Sequence, residues 1–442
     1  MKYHREFTLI CDEYDESQQS HNLYNSNQLN QPGQWRAKMV VSCRSEYLGA
    51  DRDHFQPTDR DKRAAPNLFR EVVITPFSAT QIQDYIRQYV FQNRTLWQSE
   101  DYFEALDKVP NLLDLAKNPF LLTLSLEVLP RVVNVGQIQD LSGARITRVA
   151  LYDQFVKQWL ERGKKRVGGN GLSQQAKAAF DTLVDGGFTQ SGIHFLKKLA
   201  SAIYKEQAGY PVIEYSRFRD EGTWKTAFFS REDEIHLLRE ACPLARNGNQ
   251  YRFIHRSLLE YCFALAVFDP QDSKVLHSSV VPVRRGSTSS VFSFEGQTAS
   301  DEEPVNTMEA AVDHPLTWRN FVSEPSVLEF LAERAQQEPL FKKQLLAMIE
   351  RSKTDKEGRI AAANAITILV RAGIRFNGAD LKGIRIPGAD LSDGEFDRVQ
   401  LQGADLRKTN LRNIWLRQAD LSNAQMAGAQ FGEWPYLTED SK

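Results

Sequence analysis

Large apolar residues recur at every fifth position near the C-terminus, and a small residue mostly stands two positions before each of them. A period of five matches neither the 3.6-residue turn of an α-helix nor the two-residue alternation of a strand. It predicts a solenoid in which each unit forms one side of a coil and the apolar residues stack inside. The series comprises Phe376, Leu381, Ile386, Leu391, Phe396, Leu401, Leu406, Leu411, Leu416, Leu421, Met426 and Phe431.

This repeat resembles the pentapeptide-repeat family, whose members form a right-handed, four-sided β-solenoid with four pentapeptides in each coil. The resemblance covers residues 374–433. Pro387 lies inside one repeat, and larger residues replace the small one at several positions, so we expect local distortion there. The larger residues are Ile374, Ile384, Val399 and Ile414.

The middle of the chain shows helical periodicity instead. Ser78 is a plausible N-cap for a helix that starts at the following residue. Further along, apolar residues share one face of a predicted helix over residues 147–166. They are Val149, Leu151, Tyr152, Phe155, Val156, Trp159 and Leu160.

Two short apolar runs lie near the N-terminus, FTLIC at residues 7–11 and KMVVSC at residues 38–43. Both are rich in β-formers and bounded by turn residues, which predicts buried parallel strands. Carboxylates follow the first run and Arg44 follows the second. Acids after a strand can hold Mg²⁺ or polarise a water, and an arginine at that edge can contact a phosphate. A solvated acidic loop and a surface arginine are the alternatives for each run alone.

Composition narrows the functional classes. Lys+Arg 55 against Asp+Glu 57 gives a net charge of −2, so no overall field favours nucleic acid or a membrane surface. Four cysteines without metal-ligand spacing indicate reduced thiols. No signal peptide and no apolar run of about 18 residues are found in the sequence. We therefore expect a cytoplasmic protein with protein partners.

The order of acidic strand, polar loop and strand with a terminal arginine resembles the second half of a NACHT-type signal-transduction NTPase of the STAND class, which includes innate-immunity receptors. In that family the acidic strand is the Walker B element, D-G-x-D-E. Asp12, Asp15 and Glu16 match it, and Glu13 replaces the glycine. The resemblance implies catalytic roles for these acids, Mg²⁺ binding by Asp12 and a sensor role for Arg44.

Two later stretches extend this resemblance. LAKNPFLLTLSLEVL at residues 115–129 resembles the family's helical lid, in which the proline, here Pro119, lies near the adenine. YRFIHRSLLEYCFALAVF at residues 251–268 resembles the winged-helix part, and His255 matches a histidine that contacts the β-phosphate of ADP. From the residues alone, a structural histidine is the favoured interpretation of His255, and only the family resemblance makes the binding role an equal alternative. The resemblance implies ATP or ADP binding at Pro119 and His255.

The phosphate-binding pattern G-x-x-x-x-G-K-[ST] does not occur in the 442 residues. In the family this Walker A loop precedes Walker B, so we expect either a fragment or a chain that has lost this half. Without the loop's N–H groups and lysine, we expect millimolar ATP binding or none, and no hydrolysis by this chain alone. The sheet should also expose apolar surface where its neighbouring strands are missing.

These interpretations predict a multidomain protein. The map assigns a partial α/β P-loop-type nucleotide domain to residues 1–77, an α-helical lid to 78–135, a winged-helix-like region to 136–270, a disordered linker to 271–312, a helical segment to 313–373, the right-handed pentapeptide β-solenoid to 374–433 and a tail to 434–442.

Two functional hypotheses follow. The first is a NACHT-type regulatory protein, in which a nucleotide-switch remnant controls a pentapeptide-repeat interaction platform; self-association is left open. The second is a non-catalytic scaffold or adaptor that binds proteins through its solenoid and helical region. Mimicry of DNA by the solenoid is disfavoured, because basic residues such as Arg398, Arg407 and Arg412 interrupt any acidic face.

Overall fold

The computed structural model of the protein describes residues 6–11, 14, 26, 36–43, 70–93, 95–109, 112–132, 147–169, 171–268 and 314–432. The chain forms two compact units, Met1–Pro76 and Phe77–Lys442. Over the described ranges the fold is multi-helical with a few small sheets. The expected linker at 271–312 and tail at 434–442 lie outside these ranges.

The first unit contains two parallel strands, β1 (Glu6–Cys11) and β2 (Arg36–Val41). They pair in register from Glu6 opposite Arg36 to Cys11 opposite Val41. The Ser42 N–H donates to the Cys11 carbonyl at 3.0 Å, so both strands end at the same edge. The predicted parallel pairing is confirmed.

The predicted burial of these strands is wrong. Ile10 is 75% exposed and Val40 is 55% exposed. Two strands have too little surface to form a core of their own, and apolar side chains on such a sheet stay accessible unless another layer covers them. Apolar surface is therefore exposed on the two described strands, as predicted.

The second unit begins with four helices, α1 (Ala79–Gln92), α2 (Ser99–Lys108), α3 (Leu112–Ala116) and α4 (Pro119–Val132). The predicted cap of α1 is confirmed, because Ser78 Oγ accepts from the Gln81 N–H and Gln81 Oε1 accepts from the Ser78 N–H. This reciprocal pair is a capping box. The hydroxyl of Tyr102 donates to the Leu126 carbonyl at 2.8 Å and ties α2 to α4.

Next come α5 (Arg148–Val167), α6 (Gln174–Asp185), α7 (Phe188–Glu206), β3 (Ile213–Glu214), α8 (Thr226–Phe229), α9 (Asp233–Ala241), β4 (Leu244–Asn247), β5 (Gln250–Phe253) and α10 (Arg256–Phe268). The three strands form an antiparallel sheet in the order β3–β5–β4. The predicted apolar face of α5 is buried, except that Trp159 is partly exposed.

A 3₁₀ turn (Pro315–Thr317) leads into α11 (Pro325–Gln337), α12 (Pro339–Arg351) and α13 (Arg359–Arg371). Asn364 on α13 is fully buried and makes three hydrogen bonds of 2.8 Å. Its side chain accepts from the Phe321 N–H and donates to the carbonyls of Leu316 and Arg319. These bonds fix the turn against α13.

The five-residue repeat forms a parallel ladder between residues twenty apart. Asp380 bridges Gln400, which bridges Asp420, and β6 (Asn410–Leu411) pairs in parallel with β7 (Gln430–Phe431). A twenty-residue step equals four pentapeptides, as the resemblance implied. The apolar series is buried in the first two coils, with Leu401 at 2% and Leu406 at 0% exposure. The right-handed sense stays a prediction.

The distortion expected at Pro387 is absent. Pro387 and Gly388 form the corner of a turn, with Gly388 at φ +72°. This is the arrangement of a type II turn, which favours proline first and glycine second. At the corresponding position one repeat earlier, the Lys382 N–H donates to a side-chain oxygen of Asp380 and not to a carbonyl of the ladder. A proline therefore removes no ladder bond.

The oversized residues at the small positions are also accommodated. Ile384 and Val399 are completely buried. One coil away, at a distance of twenty residues, Ile384 has Ala404 as its counterpart and Val399 has Ala419. Each of these two large side chains thus has a small one at the same position of the next coil, which leaves room for it in the interior. Along the described ranges, no helix combines the length and hydropathy required to cross a bilayer.

Candidate functional site

The four residues predicted to act on a nucleotide at the N-terminal sheet are Asp12, Asp15, Glu16 and Arg44. All of them lie outside the described residues. Their catalytic roles, and the binding of Mg²⁺ by Asp12, stay predictions.

Pro119 is the first residue of α4, where proline is favoured because no intrahelical N–H is needed. Asn118 caps this helix. Its Oδ1 accepts from the N–H groups of Phe120 at 3.0 Å and Leu121 at 3.1 Å. The first amides of α4 are therefore satisfied by the protein and are not free donors for a phosphate.

The ring of Phe120 stacks on the imidazole of His255, with centroids 3.8 Å apart and planes 5° from parallel. The fold thus brings α4 and the start of α10 together, and with them the two residues that the sequence assigned to nucleotide binding. His255 is nevertheless exposed overall. We call the group of Pro119, Phe120, Tyr152, His255 and Ser257 the His255 corner.

Hydrogen bonds fix the tautomer of His255. Nδ1 accepts from the Ser257 N–H at 3.2 Å and lies 2.5 Å from Ser257 Oγ. Tyr152 donates its hydroxyl proton to the same Oγ at 2.7 Å, so the serine proton points to Nδ1. The ring proton is then on Nε2, which has no partner among the described residues. Desolvation of the ring lowers the pKa of His255 and keeps the imidazole neutral.

The His255 corner can therefore donate one hydrogen bond, from Nε2–H, to an oxygen of a ligand. This donor suits a phosphate oxygen, but the corner offers neither a nest of backbone amides nor a cation. Within the part of the chain that the structure describes, no group of three His, Cys, Asp or Glu side chains could hold a metal ion.

A polar network links the His255 corner to α11. Asp153, next to Tyr152 on α5, accepts hydrogen bonds from the Tyr261 hydroxyl and from Arg334 Nη2, the latter at 2.8 Å. Tyr152 also meets Phe330 edge-on, with ring centroids 5.0 Å apart. Burial raises the pKa of Tyr261, so its hydroxyl remains a donor. Sequence reasoning missed this network, although a carboxylate among the apolar positions of α5 is a usable signal.

The helices also cap the first coil of the repeat. In the second coil, the Asp405 and Asn410 N–H groups donate to carbonyls of the preceding coil at 2.8 Å. In the first coil, which has no predecessor, the Arg385 N–H donates to Ser352 Oγ and the Asp390 N–H to Thr367 Oγ1, both at 3.0 Å. The helical segment and the repeat are therefore joined through the ladder itself.

One exposed face of the repeat carries an aromatic residue. Trp415 is 53% exposed, and the guanidinium of Arg417 lies 5.0 Å from its ring centroid. Arg417 is held by Asp397 one coil earlier, through bonds of 3.0 and 2.6 Å. Tryptophan and arginine on a rigid support are the residue types that dominate protein–protein interfaces.

Comparison with protein families identifies the five-residue repeat. Residues 374–413 and 400–433 match the family of pentapeptide repeats, in eight copies. No match to a NACHT or other STAND NTPase family accompanies it. A search of curated proteins found no match to the chain. The C-terminal region is thus a pentapeptide-repeat region, a type of module that generally mediates protein–protein interaction.

Proposed function

We propose that this protein is a regulatory adaptor that presents its pentapeptide repeats to a protein partner. The observation that carries the proposal is the junction between repeat and helices. Ser352 and Thr367 are fully buried and supply the hydrogen bonds that a preceding coil would otherwise make. A platform held in this way keeps a fixed orientation relative to the helical region and can transmit a change in it.

The contact residues of the platform are Trp415 and Arg417 in this proposal. The test compares affinity capture of cellular proteins by the full chain, by Trp415→Ala and by Gln425→Ala, an exposed position in another column of the repeat. We expect Trp415→Ala to lose a partner that Gln425→Ala retains. The expected decrease in affinity for that partner is about 2 kcal/mol or roughly 30-fold. Equal capture by both variants contradicts this assignment of the face.

The finer part of the proposal is that the helical region is the remnant of a NACHT-type nucleotide switch. Two features support it. The order helix, strand, helix, helix and hairpin from α7 to β5 is that of winged-helix domains. Moreover, the His255 corner joins two residues that only the family resemblance related. In this proposal, His255 Nε2–H donates to a phosphate oxygen of ADP, and the Asp153 network couples this site to α11.

A scaffold without nucleotide chemistry is the second candidate. The observation that favours it is the Asn118 cap, which occupies the amides that a phosphate would need. Calorimetry with ADP and with ATP plus Mg²⁺ separates the two. The switch remnant predicts millimolar binding, about −4 kcal/mol, that His255→Ala abolishes and the exposed control His194→Ala leaves unchanged. No binding, or binding insensitive to His255, supports the scaffold. Micromolar Mg²⁺-dependent binding would show a phosphate site outside the His255 corner.

A further inference from the structure

A second polar site lies in the winged-helix-like part. A cavity of about 1490 Å³ is walled by the end of α5, the start of α6, α9 and the β4–β5 hairpin. Five arginines and four carboxylates line it. The four carboxylates are all exposed, whereas Arg239 on α9 is only 7% exposed. The other four arginines are exposed as well, so the one buried charge of the lining is the positive charge of Arg239.

Arg239 has no carboxylate partner among the described residues. Its Nη1 donates to the carbonyls of Phe228 and Ser230, both at 3.1 Å, and its buried Nε has no partner. A guanidinium buried to this degree is normally paired with a carboxylate, because the desolvation penalty is otherwise uncompensated. Two neutral carbonyls compensate less of this desolvation penalty than a carboxylate would.

A second guanidinium increases the local positive charge. Arg239 and Arg246 lie 5.7 and 5.4 Å from the ring centroid of Tyr251. The ring stabilises each cation, but the two like charges share it. Burial lowers the pKa of Arg239, the charges of Tyr251 and Glu240 oppose this shift, and the charge of Arg246 adds to it. An anion bound beside both would relieve this repulsion.

We propose that this cavity binds the carboxylate of an acidic residue in a partner polypeptide, with Arg239 as its main contact and Arg246 and Tyr251 beside it. This proposal is independent of the proposed nucleotide site and of the pentapeptide platform.

The charge balance selects a single negative charge. Five guanidiniums less four carboxylates leave one positive charge in the lining. Once one carboxylate pairs with Arg239, the rest is neutral overall, and Glu232 and Asp233 at the start of α9 repel further anions. The volume also exceeds the roughly 300–1,000 Å³ of ordinary small-molecule sites. Both observations favour a polypeptide of mixed charge over a polyphosphate.

The test measures binding of the full chain to an array of short synthetic peptides, in which each Glu-containing sequence has a twin with Gln. Loss of a hydrogen-bonded charge pair corresponds to about tenfold or more in affinity. We expect at least this preference for Glu over Gln in the bound set, and its loss in Arg239→Lys and in Arg246→Gln. Arg412→Gln on the repeat should behave as the wild type.

Arg246 is exposed, so Arg246→Gln tests the proposal even if Arg239→Lys does not fold. Inorganic phosphate, ATP and, as a reference, acetate are added as competitors at ionic strength matched with chloride. Equal binding of Glu and Gln twins, or no bound peptide, overturns the proposal. Displacement by phosphate or ATP at concentrations below those at which acetate displaces the peptide also overturns it, because the site would then prefer a phosphoryl group.

Discussion

The pentapeptide repeat offers a matched pair of core positions in one column. Leu401 lies in the second coil and is 2% exposed, with Leu381 before it and Leu421 after it. Leu421 lies in the third coil and is only partly buried. Truncation of each leucine to alanine removes the same atoms from the same column, but within the described residues only Leu401 has a coil on either side.

The expected magnitudes differ for this reason. A fully buried leucine replaced by alanine lowers the free energy of unfolding by about 2–5 kcal/mol, toward the upper end where the site cannot collapse. Around Leu401 the backbone is held on both sides, since its N–H donates to the Asp420 carbonyl at 2.8 Å and the Leu381 N–H donates to the Gln400 carbonyl at 2.9 Å. Leu421→Ala leaves a partly open site that water can fill, and we expect about 1 kcal/mol.

Hydrogen exchange followed by mass spectrometry measures both effects locally in the full chain. For Leu401→Ala, the amides of the second coil should exchange about 30-fold to several thousand-fold faster, because each 1.4 kcal/mol corresponds to a factor of ten. For Leu421→Ala the increase should stay near fivefold. Equal acceleration by the two variants, or a larger effect of Leu421→Ala, would refute the coil order that the twenty-residue ladder defines.

Three further predictions concern the second unit. Burial lowers the pKa of His314 to about 4, while its Nδ1 accepts from the Leu316 N–H. The free energy of unfolding should therefore be highest above pH 6.5 and fall by about 3 kcal/mol toward pH 4. In urea melts, His314→Asn should flatten this dependence on pH. Asn364→Leu leaves one buried N–H and two carbonyls unpaired, and should lower the free energy of unfolding by about 3 kcal/mol or more in the same assay; a neutral result would contradict the burial of this network. Arg398 has φ +58°, and Gly378 occupies the same position one coil earlier. Arg398→Gly should therefore raise the free energy of unfolding by about 0.5–1 kcal/mol and with it the melting temperature. A lower melting temperature would show that contacts of the Arg398 side chain contribute more than the backbone strain costs.

The sequence by itself determined the local features. The period of five, the Ser78 cap and the apolar face of α5 depend on residues close together in the chain, and the structure has them where the pattern placed them. The same pattern also explains its apparent exceptions. Pro387 fits a turn whose type its own neighbour Gly388 sets, and Ile384 fits because Ala404 follows twenty residues later.

Tertiary structure alone decided which charges are paired and which surfaces are covered. The pattern FTLIC predicts a strand, but it does not contain the layer that would bury Ile10. Asp153 and Arg239 look alike in sequence, as charged residues that directly follow an apolar position of an amphipathic helix. Asp153 finds Arg334 and Tyr261 on other helices, whereas Arg239 finds only carbonyls and a second arginine across an aromatic ring. Charge compensation depends on distance in space, and these partners come from elements far apart in the chain.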